Sequence, residues 1–150
     1  MIADLHLAIA HHLLVFAIFA IFAMQFTLVR PGLDGAGAKR LAAIDGAYGA
    51  LSLAVIAVGF ARAVYGLKGW DYYSGYWVFW AKVGVFVLVG LLSIRPTMSF
   101  QRWRKAAATD SGYAVPAAEI VATRRMLHLE ALPLALIPVL AAMLARGIGY

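Results

Sequence analysis

The sequence predicts an all-α protein, a polytopic transmembrane four-helix bundle forming one membrane domain over residues 1–150. Three observations predict it. The chain is 64% hydrophobic and 13% charged, with a mean hydropathy of +0.84; soluble domains are roughly 45–50% apolar and about 25% charged. A soluble fold of this length could not hide so much apolar surface from water. Next, the apolar residues run in four stretches, about 5–29, 41–65, 76–94 and 126–145, each near the ~20 residues that cross a ~30 Å hydrocarbon core. Finally, the charges collect between these stretches, and the short alternating segments of a membrane β-barrel do not occur.

The first span has no basic leader and carries Asp4, so it reads as a helix that stays in the membrane rather than a cleaved signal. Asp4, His11, Ile18 and Gln25 recur at every seventh position and form a slowly drifting stripe on one face. Pro31 and the glycines between Arg30 and Arg40 mark a turn. In the second span Asp45, Tyr48, Ser52, Val55, Gly59 and Arg62 make one inward seam. Asp45 is expected to cap that helix, oppose its dipole or pair with Arg40. The connection Gly66–Gly75 carries Lys68, Trp70, Asp71, Tyr72 and Tyr73. The third span repeats the seam with Phe79, Lys82, Phe86, Val89, Ser93 and Pro96. The longest connection, about Arg95–Arg125, is expected to turn helical at Ala117, after Pro116. The fourth span offers His128, Ala131, Ala135, Pro138, Ala142 and Ala145, small enough for close approach. Glu130 is expected to meet Arg124, Arg125 or Gln25.

Four spans place both termini on one side. The first and third connections, with their flanks, hold Arg30, Lys39, Arg40, Arg95, Arg102, Arg104, Lys105, Arg124 and Arg125. The positive-inside rule puts these connections in the cytoplasm and the termini outside. Topology thus accounts for the net charge of +6, and no nucleic-acid partner is expected. Tryptophans 70, 77, 80 and 103 and the tyrosines beside the first three form an interfacial belt. The chain has no cysteine, which excludes disulfides, thiolate metal sites and cysteine nucleophiles.

Polar groups inside a membrane helix are costly and usually face the bundle interior. Depth sorts them into two tiers. His11 and His12 lie about 10 Å inside the outer end at ~1.5 Å per residue, with Lys82 at similar depth and Arg62 nearer the surface. Gln25, Asp45, Tyr48, Ser93, His128 and Glu130 fall toward the other half. His6, His11 and His12 put three imidazoles into seven residues, but on different faces, so one helix cannot clamp a metal with all three. One of them can give an axial ligand to a heme lying between helices. Lys82 matches it in depth as the opposite ligand, whereas His128 sits on the order of 15 Å away. Arg62 suits a heme propionate. Snorkelling of Arg62 and Lys82 to the interface, and simple interhelical bonding by Tyr48, Ser52 and His128, are the structural alternatives.

Several segments resemble an uncharacterised family of four-helix bacterial inner-membrane proteins. They are His11–Leu14, Arg40-Leu41, Asp45–Gly49, Gly59–Arg62, Lys68–Tyr73, Phe79–Lys82, Ser93–Thr97, Trp103 and Pro138 through Gly147. More distantly, the chain resembles the HemJ-type protoporphyrinogen oxidases and CopD-like membrane proteins. The HemJ resemblance implies heme b, with His11 or His12 and Lys82 in the roles of the family's important first-helix histidine and later lysine. The chain lacks that family's histidine just past the first helix, reading Phe26-Thr27-Leu28-Val29-Arg30-Pro31, and its C-terminal Asn-Glu motif. The resemblance therefore carries heme binding further than porphyrinogen oxidation.

The expected function is a heme b-binding protein of the bacterial inner membrane, in electron transfer or oxidation, with a redox protein or quinone as partner. Its ligand set is drawn from His11, His12, His6, Lys82 and Arg62, with Tyr48, Asp45 and His128 as a second tier. The alternatives are a CopD-like metal or solute permease, disfavoured for copper(I) by the absence of cysteine and the few methionines in the spans, and a non-enzymatic scaffold or subunit. The bilayer is a partner in each, and a homo-oligomer is compatible with all.

Overall fold

The computed structural model describes residues 2–149, so Met1 and Tyr150 of the expected domain lie outside the described residues. Five helices follow one another: α1 (Ile2–Leu28), α2 (Gly35–Tyr65), the short α3 (Gly69–Ser74), α4 (Trp77–Thr109) and α5 (Ala117–Ala145). The four long ones are each long and apolar enough to cross a membrane.

Three helices outrun their apolar stretches. Asp34 caps α2 by accepting from Gly37 N at 2.8 Å, so the helix starts at Gly35 rather than Leu41. α4 continues past Ile94, through the buried Pro96, to Thr109. α5 begins at Ala117, directly after Pro116, as the helix signal there predicts. Apolarity marks the part of a helix that meets lipid, whereas hydrogen bonding and capping mark its ends. The connection 66–75 is also not all loop: α3 fills it, entered through Gly69 at φ +73°.

α1 packs on α2, α2 on α4 and α4 on α5. Val115 N donates to Leu33 O at 2.9 Å, tying the first and third connections together at one end. At the other end Leu67 N donates to Asp4 Oδ1 at 3.2 Å, and Trp77 N to Gly149 O at 3.0 Å. We call these the inner and outer ends. Leucine, isoleucine and phenylalanine side chains such as Leu53, Phe16 and Leu132 cover the outside of the bundle, the arrangement that lipid as solvent requires.

Two apolar clusters fill the interior. The inner one centres on Phe100, Trp103, Leu41 and Leu127, and reaches up to Ile18, Val55 and Leu134. The outer one holds Ala63, Phe79, Leu140 and Leu144. The seams expected on α1, α2 and α4 face the interior: Ile18, Gln25, Asp45, Tyr48, Val55, Phe79, Val89 and Pro96 are all buried. The seam expected on α5 does so only at Ala131, which packs against the inner cluster. Ala135, Pro138, Ala142, Ala145 and His128 are exposed, and Leu127, Glu130, Leu134, Leu140 and Leu144 point inward instead. Small residues mark faces that approach closely, but here α5 meets its neighbours chiefly through leucine packing, and its small residues other than Ala131 face outward.

Candidate functional site in the outer half of the bundle

A cavity of about 260 Å³ opens where the two apolar clusters fail to meet. α1, α2, α4 and α5 all contribute walls, which are apolar (Ile18, Phe19, Val55, Val83, Phe86, Leu134) except at His11, Arg62, Lys82 and Tyr73. Ile56, Phe60 and Val87 form an exposed rim, so the cavity continues toward the lipid-facing surface.

His11 comes from α1. Its ring lies against Gly59 of α2: a Cβ there would come within 3.1 Å of His11 Cε1 and 3.4 Å of Nδ1. Gly59 is thus the residue that leaves room for the imidazole. His11 Nδ1 is buried and has no hydrogen-bond partner; the backbone at Val55 lies near the ring, but no bond of ordinary geometry joins them. Arg62, one turn beyond Gly59, buries its Nε without a partner. Lys82 of α4 holds Nζ 5.8 Å from the centre of the Phe79 ring. No carboxylate lines the cavity, and the one ion pair among the described residues is Arg102–Glu119, at the inner end. Two cations and an imidazole therefore share an apolar cavity without a compensating acid.

The other two N-terminal histidines do not join them. His6 is exposed, and His12 is exposed with its Nδ1 2.6 Å from the Ala8 carbonyl. The ~100° between successive helix positions separates His12 from the cavity. His128 is exposed too: its Nδ1 lies 2.7 Å from the Arg124 carbonyl, and its ring meets Phe26 edge-on at 4.7 Å. Of the four histidines, His11 alone lines the cavity.

The inner tier holds two separate hydrogen-bonded groups, and Ser93 and His128, each bonded to its own helix backbone, join neither. Gln25 Nε2 donates to Asp45 Oδ1 at 3.0 Å and Thr97 Oγ1 donates to the same oxygen at 3.1 Å. Tyr48 OH donates to Glu130 Oε1 at 2.9 Å. Asp45 is therefore neither a cap nor a partner of Arg40, because Asp34 already caps α2 and Asp45 points into the bundle. Glu130 meets neither arginine nor Gln25. Arg124 instead donates to Val29 O at 2.6 Å. Thr97 is the member that sequence reasoning missed; its place one turn beyond Ser93 on the α4 seam was the available signal.

At the outer end, outside the spans, Lys68 Nζ donates to Tyr72 OH at 3.0 Å. This hydrogen bond holds the Tyr72 phenol below its usual range.

Comparison with curated proteins and with solved structures finds no match. One family model matches residues 3–149, that of the predicted membrane proteins of DUF2214, and the chain belongs to that family.

Proposed function

We propose that the chain binds heme b in the outer cavity, as a protein of the bacterial inner membrane with its inner end in the cytoplasm. One observation carries the proposal: an imidazole and two uncompensated cations from three helices converge on one apolar cavity. Heme b asks for the same set, namely a nitrogen ligand for iron, an apolar slot for the macrocycle and cations for two propionates. His11 would hold the iron and Arg62 a propionate, and Lys82 would hold either the iron or the second propionate. Bound there, heme b supplies one-electron redox chemistry. The protein's own contribution is to orient the imidazole against Gly59 and to exclude water with Phe19, Phe79 and Phe86. The enclosed part of the cavity is small beside the ~300–1,000 Å³ of ordinary ligand sites, and the open rim at Ile56, Phe60 and Val87 gives a larger ligand room to extend toward lipid. The orientation is supported by the nine of thirteen Lys and Arg residues at or near the inner end.

The test is an absorption spectrum, oxidised and dithionite-reduced, of protein purified in mild detergent and titrated with hemin. A Soret band with reduced α and β bands, lost in His11→Ala and kept in His12→Ala, is the expected result. Protein that stays colourless with added hemin overturns the proposal. The missing acid in the cavity wall favours, as a second reading, an apolar molecule with one carboxylate and no metal. A fluorescent fatty acid that binds wild type but not Arg62→Gln would mark that outcome.

A further inference from the structure

A second cavity, of about 270 Å³, lies between α2 and α4 on the inner side of Phe86, whose ring lines both cavities. Asp45 forms part of its wall and is 5% exposed. Both hydrogen bonds to Asp45 arrive at Oδ1; among the described residues none reaches Oδ2.

The hydroxyls around this cavity have their protons committed elsewhere. Ser52 Oγ donates to Tyr48 O and Ser93 Oγ to Gly90 O, each at 2.8 Å. Thr97 donates to Asp45, and Tyr48 donates to Glu130. A hydroxyl has one proton to give, so each of these oxygens has only lone pairs left for the cavity. These four hydroxyls therefore present acceptors, and Gln101, which also lines the cavity, can turn its amide oxygen inward, so a cation finds oxygen ligands here. The groups facing Asp45 from the packed helices are Gln25 on α1, Tyr48 on α2, Thr97 on α4 and Glu130 on α5, and none is a cation. A buried carboxylate without a positive partner is among the costliest arrangements a membrane helix can hold.

We propose that this cavity binds a small hard monovalent cation, Na⁺, in exchange with a proton on Asp45, with Asp45 as the charged ligand and Ser93 and Thr97 as neutral oxygen ligands. Oxygen-only ligation selects hard cations over copper or zinc, and among the described residues no three His, Cys, Asp or Glu side chains gather as a transition-metal site. A single carboxylate on the wall matches a single charge. Gly46, Gly49 and Gly90 border the cavity, and a Cβ added at any of them meets nothing within 4 Å, so one side of the cavity is open at the bundle surface. The site is independent of what the outer cavity holds.

The test is labelling of the full chain in mild detergent with dicyclohexylcarbodiimide, which reacts with protonated carboxyls in apolar surroundings, read by mass spectrometry of peptides. Asp45 is expected to label faster at lower pH. Protection by NaCl several-fold beyond choline chloride at equal ionic strength identifies Na⁺, and Ser93→Ala then weakens that protection about tenfold. Labelling indifferent to NaCl, whatever its pH midpoint, shows that Asp45 takes only a proton and overturns the proposal. Ser93 makes no bond to Asp45, so a merely structural role would leave the protection unchanged. Asp45 that never labels and shows no Na⁺-dependent thermal stability overturns the proposal.

Discussion

Tyr48 of α2 donates its hydroxyl to Glu130 of α5 at 2.9 Å, joining residues 82 positions apart, with Glu130 1% exposed and Tyr48 5% exposed. The two helices are not neighbours in the packing order α1, α2, α4, α5, so this bond closes the bundle across its middle. Interhelical hydrogen bonds in membranes average only about 0.6 kcal/mol, but an acid left unbonded in the interior costs about 1–3 kcal/mol. Tyr48→Phe is therefore expected to destabilise by about 1–2 kcal/mol in denaturation from mild detergent. In Tyr48→Phe with Glu130→Leu the loss should be smaller than the sum of the single effects. Strict additivity would show that the bond does not couple the helices.

Gly59 is the second point of leverage. A methyl group there would sit 3.1 Å from His11 Cε1, tighter than ordinary van der Waals contact, so the ring must shift by a few tenths of an ångström. Ala is a better helix former than Gly by about 1 kcal/mol. Gly59→Ala is therefore expected to leave the fold intact or slightly firmer while weakening hemin uptake several-fold, measured by Soret titration. Unchanged uptake would mean that the imidazole does not set the ligand's position.

The sequence shows the spans because lipid demands apolarity over a fixed length, and it shows the inward faces of α1, α2 and α4 because polar residues are excluded from lipid. It does not show the face of α5. There the inward face is leucine around one acid, and leucines such as Leu129, Leu132 and Leu136 also face outward, so composition does not separate the two. The two tiers are legible from helix rise alone, since His11, Arg62 and Lys82 do share one cavity. Which of His11 and His12 faces inward is not legible, because adjacent positions differ only by a rotation that the neighbouring helix decides. Partners across helices, such as Thr97 for Asp45 and Tyr48 for Glu130, depend on register between spans, which single-span periodicity does not contain.

Lys82 offers a contrast between stability and binding. Its ammonium is half-buried beside Phe79 with no acid nearby, and a lysine at the centre of a membrane helix costs about 2.5–3.5 kcal/mol on insertion scales. Lys82 lies nearer the interface and can partly snorkel, so Lys82→Met is expected to stabilise the ligand-free protein by about 1 kcal/mol. The same change should weaken hemin or carboxylate binding. A variant that is less stable without ligand would show that Lys82 serves packing, as the snorkelling alternative holds.

Arg124 separates topology from structure. By composition it is one of the cations expected to orient the chain, yet its guanidinium donates to the Val29 carbonyl at 2.6 Å and lies 5.4 Å from the centre of the Phe26 ring. Val29 is fully buried just past the end of α1, where helix carbonyls lack intrahelical donors. Removing the donor leaves that carbonyl without its charged partner. Arg124→Ala is expected to cost about 1.5–3 kcal/mol, the range for a hydrogen bond to a charged group, without altering orientation, because Arg125 and the other inner-end cations remain. Arg124→Lys keeps the charge but loses the planar fork, and it should recover only part of that loss. Full recovery by lysine, with inverted topology in the alanine variant, would assign Arg124 to orientation alone; accessibility labelling of single cysteines placed in the 66–75 and 110–116 connections reads out which side each occupies.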